Sequence, residues 1–215
     1  MNASRLILQF TAAVAAMLLA SCANKPDPTT ATKKDGEAFK NPYPEGSYEN
    51  FKAEPKYPKT YDVWKNEELL AKTDASNSNI FINLSTQRGI LKNGEEIVMD
   101  YPICSGIKSR PTPPGTYKIL EKVVDKSSNR YGKMYDAEGS VINGDADAFT
   151  DTVPEGGKFV GAPMKYWMRL TWDGVGHHIG PVKRYPASHA CIRGPSKIMP
   201  LVYSKMRVGS TVVVE

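Results

Sequence analysis

The sequence predicts a mainly β protein with one or two short helices, and three observations carry that class. From Asn79 onward the chain breaks into short β-type runs between turn signals, as in IFINLS and RGILKNGEEIVMDYPICSG. Within the second run, Asn93-Gly94 is a two-residue hairpin signal. Further on, RPTPPGTYKI places three prolines and a glycine ahead of another β run, and YWMRLTW and STVVVE close the series.

Taken in chain order, the first element is an export signal over residues 1–21. Arg5 precedes an apolar run from Phe10 to Ala20 that is broken at Thr11 and is shorter than the roughly 20 residues a spanning helix needs. The run ends in Leu19, Ala20, Ser21 and Cys22, which resembles the lipobox of bacterial lipoproteins. That resemblance implies a mature chain beginning at a lipidated Cys22 and held to a membrane by its acyl chains, in the cell envelope on the periplasmic side. In a Gram-negative host, Ala23 and Asn24 in place of Asp would favour the outer membrane.

Residues 22–61 have the Pro, Lys, Asp, Glu and Thr composition of a flexible tether. Tyr43, Tyr48, Phe51, Tyr57 and Tyr61 interrupt that polarity, so either the later half floats free or it lies along the domain surface. Residues 62–78 read as a short docked helix and linker, with Val63, Trp64, Leu69 and Leu70 near helical spacing and Asp62 as N-cap. The domain proper is expected over 79–215. Inside it, Lys122 to Pro163 is long, polar and turn-rich, which marks a functional or disordered loop. Near the end, Ile198, Leu201, Val202 and Met206 recur at helical steps over 196–207, with Pro200 in the first turn.

Composition narrows the partners. The formal charge is +5, and removing residues 1–21 takes away Arg5 and no acid, leaving +4. Such a diffuse balance suits an anionic envelope and does not supply the clustered basic face that nucleic acid needs, so no nucleic-acid partner is expected. No glycine-rich phosphate loop suggests a cofactor. Of three cysteines, Cys22 is assigned to lipid, and Cys104 and Cys191 are not the regular even set of a disulfide framework. Asp145, Asp147 and Asp151 lack the calcium-loop pattern and read as a solvated loop. Cys104 reads as a small buried strand residue.

The chemistry concentrates in VGHHIGPVKRYPASHACIRGP, residues 175–195, which holds His177, His178, His189 and Cys191. A thiol becomes a nucleophile when an imidazole within hydrogen-bond reach takes its proton, and the turn residues Gly180, Pro181 and Pro186 can fold His178 back against Cys191. From the residues alone, a structural thiol beside surface histidines and a metal site both remain open readings. No second CxxC or HxxxH pair completes a tetrahedral set, so no metal is expected.

VGHHIG followed by YPASHACIRGP resembles the signature of the L,D-transpeptidases, with further matches at INLSTQRG, YPICSG, RPTPPGTYKI and APMKYWMRLTWDGVG. The resemblance implies the family's β-sandwich-like catalytic domain and a cysteine acyltransferase acting on peptidoglycan stem peptides. In that role Cys191 is the nucleophile and His178 the proton donor and acceptor, with Ser188, His189, Ala190 and Arg193 in support. His177 stands where the family usually has an apolar residue and is expected to face away from the site. Two further departures are Ala190 for Gly, which brings a cost if its φ is positive, and Gly194 for an apolar residue, expected to loosen the turn after Arg193. The same residues fit an L,D-carboxypeptidase or hydrolase, and Ala190 leaves open a catalytically impaired wall-binding lipoprotein. A sortase-like enzyme is disfavoured, because its base lies much further upstream of its nucleophile.

Overall fold

The computed structural model describes residues 39–215, and the export signal and Cys22 lie outside them. In chain order the elements are α1 (Tyr48–Ala53), β1 (Trp64–Lys65), α2 (Glu67–Ala71), β2 (Ser78–Asn83), β3 (Arg88–Asn93), β4 (Glu96–Pro102) and β5 (Gly115–Lys118). There follow β6 (Glu121–Val123), β7 (Ser127–Tyr135), β8 (Val141–Asp147), β9 (Lys158–Pro163), β10 (Trp167–Arg169), β11 (Gly176–Ile179), β12 (Ile192–Gly194), α3 (Met199–Lys205) and β13 (Thr211–Val214).

These strands form three sheets: β1-β4-β3-β2-β13-β5, β12-β11-β10-β6 and β8-β7-β9. The first two share one core. Alternation along β2 buries Ile80 and Ile82, and alternation along β13 buries Val212 and Val214. They join Leu91, Met99 and Tyr101 from the first sheet, Met168 and Ile192 from the second, and Met199 and Val202 of α3. Each fully buried aliphatic side chain in such a core contributes about 1.5–3 kcal/mol. The core therefore fixes the second sheet, which carries the site, against the first.

The hairpin signalled by Asn93-Gly94 forms between β3 and β4, with its turn one residue later than the signal implies. Asn93 pairs with Glu96, and the loop residues are Gly94, at φ 56°, and Glu95. The helix expected near the C-terminus is α3, with Pro200 in its first turn.

Three expectations are corrected. The helix expected after Asp62 is the shorter α2, capped by Asn66, whose side chain accepts from the Leu69 amide, because Trp64 and Lys65 pair with Asp100 and Met99 as β1. The polar stretch after Lys122 is a three-stranded sheet, β8-β7-β9. Its strands bury few residues fully, so no alternating apolar pattern marks them. Asp147 and Asp151 are structural, Asp147 taking Arg130 at 2.9–3.1 Å and Asp151 the Asn143 side chain at 3.0 Å, while Asp145 is solvated.

The third correction concerns the tether. From Tyr48 to Asp62 the chain is docked, held by a polar centre in place of an apolar stripe. Arg88 and Asp100 form an ion pair with both side chains fully buried. Tyr48 and Tyr57 hydroxyls donate to Asp100 at 2.9 and 3.1 Å, while Arg88 donates to the carbonyls of Thr60 and Asp62 at 3.0 and 3.1 Å. A buried ion pair is tolerable only when its remaining valences are satisfied, and here the N-terminal segment satisfies them.

Candidate active site

Strand register places the site. β11 and β12 run parallel, with His177 opposite Ile192 and His178 opposite Arg193. Side chains alternate along each strand, so His177 and Ile192 share one face, and His178, Arg193 and the residue two before Arg193, Cys191, share the other. The first face is the core: His177 is fully buried, its ring stacked on Tyr101 at 5.9 Å. Its Nδ1 bonds the Ile192 carbonyl at 2.9 Å and its Nε2 the Tyr101 hydroxyl at 3.0 Å. Burial pulls its pKa down to about 4, so it is a neutral core residue. His177 faces away from the thiol, as expected.

On the second face, His178 and Cys191 line a common cavity of about 520 Å³. The His178 Nδ1 lies 2.7 Å from the carbonyl of Ile179. A carbonyl only accepts, so Nδ1 carries the proton and Nε2 is left as the free acceptor. Burial pulls the His178 pKa down to about 4, against the opposing pull of the Ile179 carbonyl, and the ring is neutral at neutral pH. Trp167 packs on it at 5.7 Å between ring centres.

Burial also pushes the Cys191 thiol up, opposed by a hydrogen bond from the Gly176 amide and by the Arg193 charge. The pair rests as thiol and imidazole. The thiol is half-buried, and its Sγ lies 3.5 Å from the Gly174 carbonyl. Reacting partners commonly tighten only when substrate binds.

The peptide groups on either side of Cys191 are held by hydroxyls. Ser188 Oγ donates to the Cys191 carbonyl. Thr112 Oγ1 donates to the Ala190 carbonyl at 2.8 Å and accepts from the Gly106 amide at 2.9 Å. A Cβ on Gly106 would come within 2.8 Å of the Ala190 Cα, so only glycine permits this approach. Ala190 itself has φ 73°, the left-handed region anticipated for a glycine. The amides of Ala190 and Cys191 donate to no backbone carbonyl among the described residues.

The other expected residues fall in the same place. Arg193 donates to the Ala187 carbonyl at 3.2 Å and makes no salt bridge among the described residues. His189 lies 3.7 Å from Asp145 and edge-on to Tyr131 at 4.5 Å, so it joins the crossover between β11 and β12 to the three-stranded sheet. Burial lowers its pKa, with Asp145 opposing. Cys104 is buried, and its backbone pairs with Arg193 in both directions at 2.9 Å.

Gly194 is the correction here. It sits within β12, and a Cβ would come within 2.4 Å of the Met199 Sδ and 3.2 Å of the His177 Cε1. It closes the packing and loosens no turn.

Reading residues alone missed Thr112 and Tyr101. Thr112 lies in the RPTPPG turn, which reads as a shape until the fold brings it to Ala190.

A family model described as the L,D-transpeptidase catalytic domain (YkuD) matches residues 77–214. Among solved structures, an L,D-transpeptidase from Mycobacterium smegmatis is 21% identical with a TM-score of 0.49, the match covering 65% of this chain and 58% of that one. L,D-transpeptidase 1 from Mycobacterium tuberculosis is 20% identical with a TM-score of 0.46, covering 66% and 62%. The catalytic domain of the Enterococcus faecium L,D-transpeptidase is 22% identical with a TM-score of 0.46, covering 64% of this chain and 96% of that domain. The chain thus spans less than two thirds of the two mycobacterial proteins. No curated protein matches the sequence.

Proposed function

The chain belongs to the YkuD family of L,D-transpeptidase catalytic domains, and on that premise we propose that Cys191 and His178 carry out acyl transfer on peptidoglycan stem peptides. The observation that carries this reading is the register of β11 and β12, which sets the free His178 Nε2 and the Cys191 thiol on one face of one cavity.

In the first half-reaction the thiol rotates from the Gly174 carbonyl toward His178. Cys191 Sγ attacks the carbonyl after the third stem residue as its proton passes to Nε2. The carbon–sulfur bond forms, the carbon–oxygen double bond opens, and the amides of Ala190 and Cys191 take the oxyanion. Collapse breaks the carbon–nitrogen bond, and His178 returns the proton to the leaving terminal D-amino acid. In the second half-reaction an amine enters, loses a proton to His178 and attacks the thioester. The tetrahedral species expels the sulfur, which regains the proton. Neutrality of both partners at rest supports a coupled proton transfer over a standing thiolate–imidazolium pair. Arg193, without a carboxylate partner among the described residues, suits a carboxylate of the substrate.

The same chemistry serves wall crosslinking, attachment of a protein to the wall, or, with water as acceptor, L,D-carboxypeptidase action. Delivery to the envelope by the residue 1–21 signal and a lipidated Cys22 is part of the proposal, supported by the sequence Leu19-Ala20-Ser21-Cys22.

Intact-protein mass spectrometry of wild type and Cys191→Ala, after exposure to a stem tetrapeptide and separately to a carbapenem, tests it. An adduct on wild type that is missing from the variant is the expected result. A folded, reduced wild type that stays unmodified by both would sink the enzyme reading and leave a wall-binding lipoprotein, with Ala190 as the obstruction.

A further inference from the structure

Cys191 lies where two cavities meet. One is the cavity it shares with His178, and the other, of about 740 Å³, is lined from Gly174 outward and does not include His178. Acyl transfer by one base gives them different duties. The leaving amine collects its proton from His178 and the incoming amine surrenders one to it, so both amines pass through the cavity that His178 lines. The acyl group stays on sulfur throughout, and the space left for it is the larger cavity.

That cavity has a marked chemistry. Arg110, Lys126, Arg130 and Arg169 line it, and Asp173 is its one lining carboxylate. Two of these cations are committed: Arg130 to Asp147 at 2.9 Å and Arg169 to Glu121 at 3.0 Å, neither acid being part of the lining. Arg110 forms a looser ion pair with Asp147, at 3.7 Å, and its guanidinium lies 5.0 Å from the Tyr131 ring. Lys126 makes no salt bridge among the described residues, and its ammonium lies 5.8 Å from the Trp167 ring. Beside them Trp172 is 74% exposed, and the Arg169 guanidinium lies over its ring at 5.4 Å. An exposed indole, a loosely paired arginine and a lysine without a carboxylate partner among the described residues share one groove, which is complementary to a flat peptide that carries carboxylates.

Resting on the function proposed above, we infer that the larger cavity seats the acyl donor and selects stems whose carboxylates are free over stems in which they are amidated. Arg110 and Lys126 are the selecting residues, and the cavity beside His178 is left for the amines.

Two measurements on the intact protein test this. The first is equilibrium binding of a stem tripeptide to Cys191→Ala, with its carboxylates free or converted to amides. Amidation is expected to weaken binding about tenfold, the size of one lost charge-assisted contact, and the preference should shrink with added salt. The second is single-turnover acylation of Cys191 by the matching tetrapeptides, followed by mass. Arg110→Gln and Lys126→Gln should each slow acylation by the free acid about tenfold through KM, and the difference between acid and amide donors should collapse. Resolution of a preformed acyl-enzyme by an amine should keep its rate. Equal binding of acid and amide, or variants that slow the amine step and spare acylation, would overturn the inference. Preferential binding of the acid without acylation by either donor would leave the groove standing and remove the enzyme reading.

Discussion

Gly194 lies against the ring of His177, so close that a methyl group on Gly194 would sit 3.2 Å from the His177 Cε1. The imidazole on β11 and the bare backbone on the neighbouring strand are thereby one arrangement, since a side chain at Gly194 would meet the ring. The ring is then fastened by Tyr101 and Ile192.

Gly194→Ala is accordingly expected to destabilise the fold by about 1–3 kcal/mol, the cost of overpacking, since the new methyl also meets the buried Met199. His177→Leu should recover part of that loss in the double variant. Urea unfolding of the four proteins of the cycle measures the coupling, and strict additivity would show that the two residues do not share the space.

Ala190 reaches φ 73° with its carbonyl held by Thr112, so the strain is already accommodated in the folded chain. Left-handed backbone costs an L-residue about 1–2 kcal/mol, of which the greater freedom of glycine in the unfolded chain cancels part. Ala190→Gly should therefore raise stability by roughly 1 kcal/mol and change the acylation rate by less than about threefold. A gain of a hundredfold in rate with no change in melting temperature would mean instead that Ala190 displaces the oxyanion amides.

How much of this was legible beforehand depends on what each element buries. β2 and β13 announce themselves because Ile80, Ile82, Val212 and Val214 alternate into a core. The strands β7, β8 and β9 bury little, so SSNRYGKMY and VINGDAD read as loop. The N-terminal segment is docked by tyrosine hydroxyls on a buried acid, and tyrosine spacing in a polar stretch carries no period. Cys191 and His178 were legible as a pair of chemical types, and the assignment of facing sides needed only strand alternation. Thr112 was not legible, because its partners, Gly106 and Ala190, are joined to it by folding alone.

Thr112→Val keeps the shape and removes the hydroxyl that bridges the Gly106 amide and the Ala190 carbonyl. Two buried groups lose their partner, at a cost of about 1–3 kcal/mol. The Cys191 amide loses its fixed direction, so acylation should slow about tenfold in kcat with KM little changed. Thr112→Ser should restore both. A Thr112→Val protein that loses stability but acylates at the wild-type rate would confine Thr112 to the fold.

Acid acts on two histidines at once. His177 and His178 are buried neutral with pKa values of about 4, against 6.5 in the unfolded chain. Between those values the unfolded state binds more protons, so stability falls as pH drops from about 6.5 toward 4. Each histidine contributes roughly 3 kcal/mol across that window. Melting temperature measured from pH 7.5 to 4.5 should be level above about 6.5 and decline below it. The acid limb of the acylation rate should titrate near 4, and a limb near 6.5 would show that His178 is solvated in the working enzyme.

The last expectation concerns Asp100, which is fully buried and receives Arg88 from within the domain and Tyr48 and Tyr57 from the segment ahead of it. Burial pushes its pKa up while Arg88 and both hydroxyls pull it down, so the carboxylate depends on all three partners. Tyr48→Phe and Tyr57→Phe should each cost about 1.5–3 kcal/mol, as hydrogen bonds to a charged group do. The double variant should release the segment, making the chain between α1 and Trp64 open to protease while Cys191 still reacts with a thiol reagent. Removing one partner from inside the domain is a different operation. Arg88→Gln leaves the acid buried without its cation and should cost about 3–5 kcal/mol, enough to unfold the domain and not merely to undock the segment. Proteolysis mapped by mass separates the two cases: cuts confined to residues before Trp64 mean that the segment is a strap on a self-sufficient domain. Cuts throughout either tyrosine variant would mean that the segment is part of the folding unit.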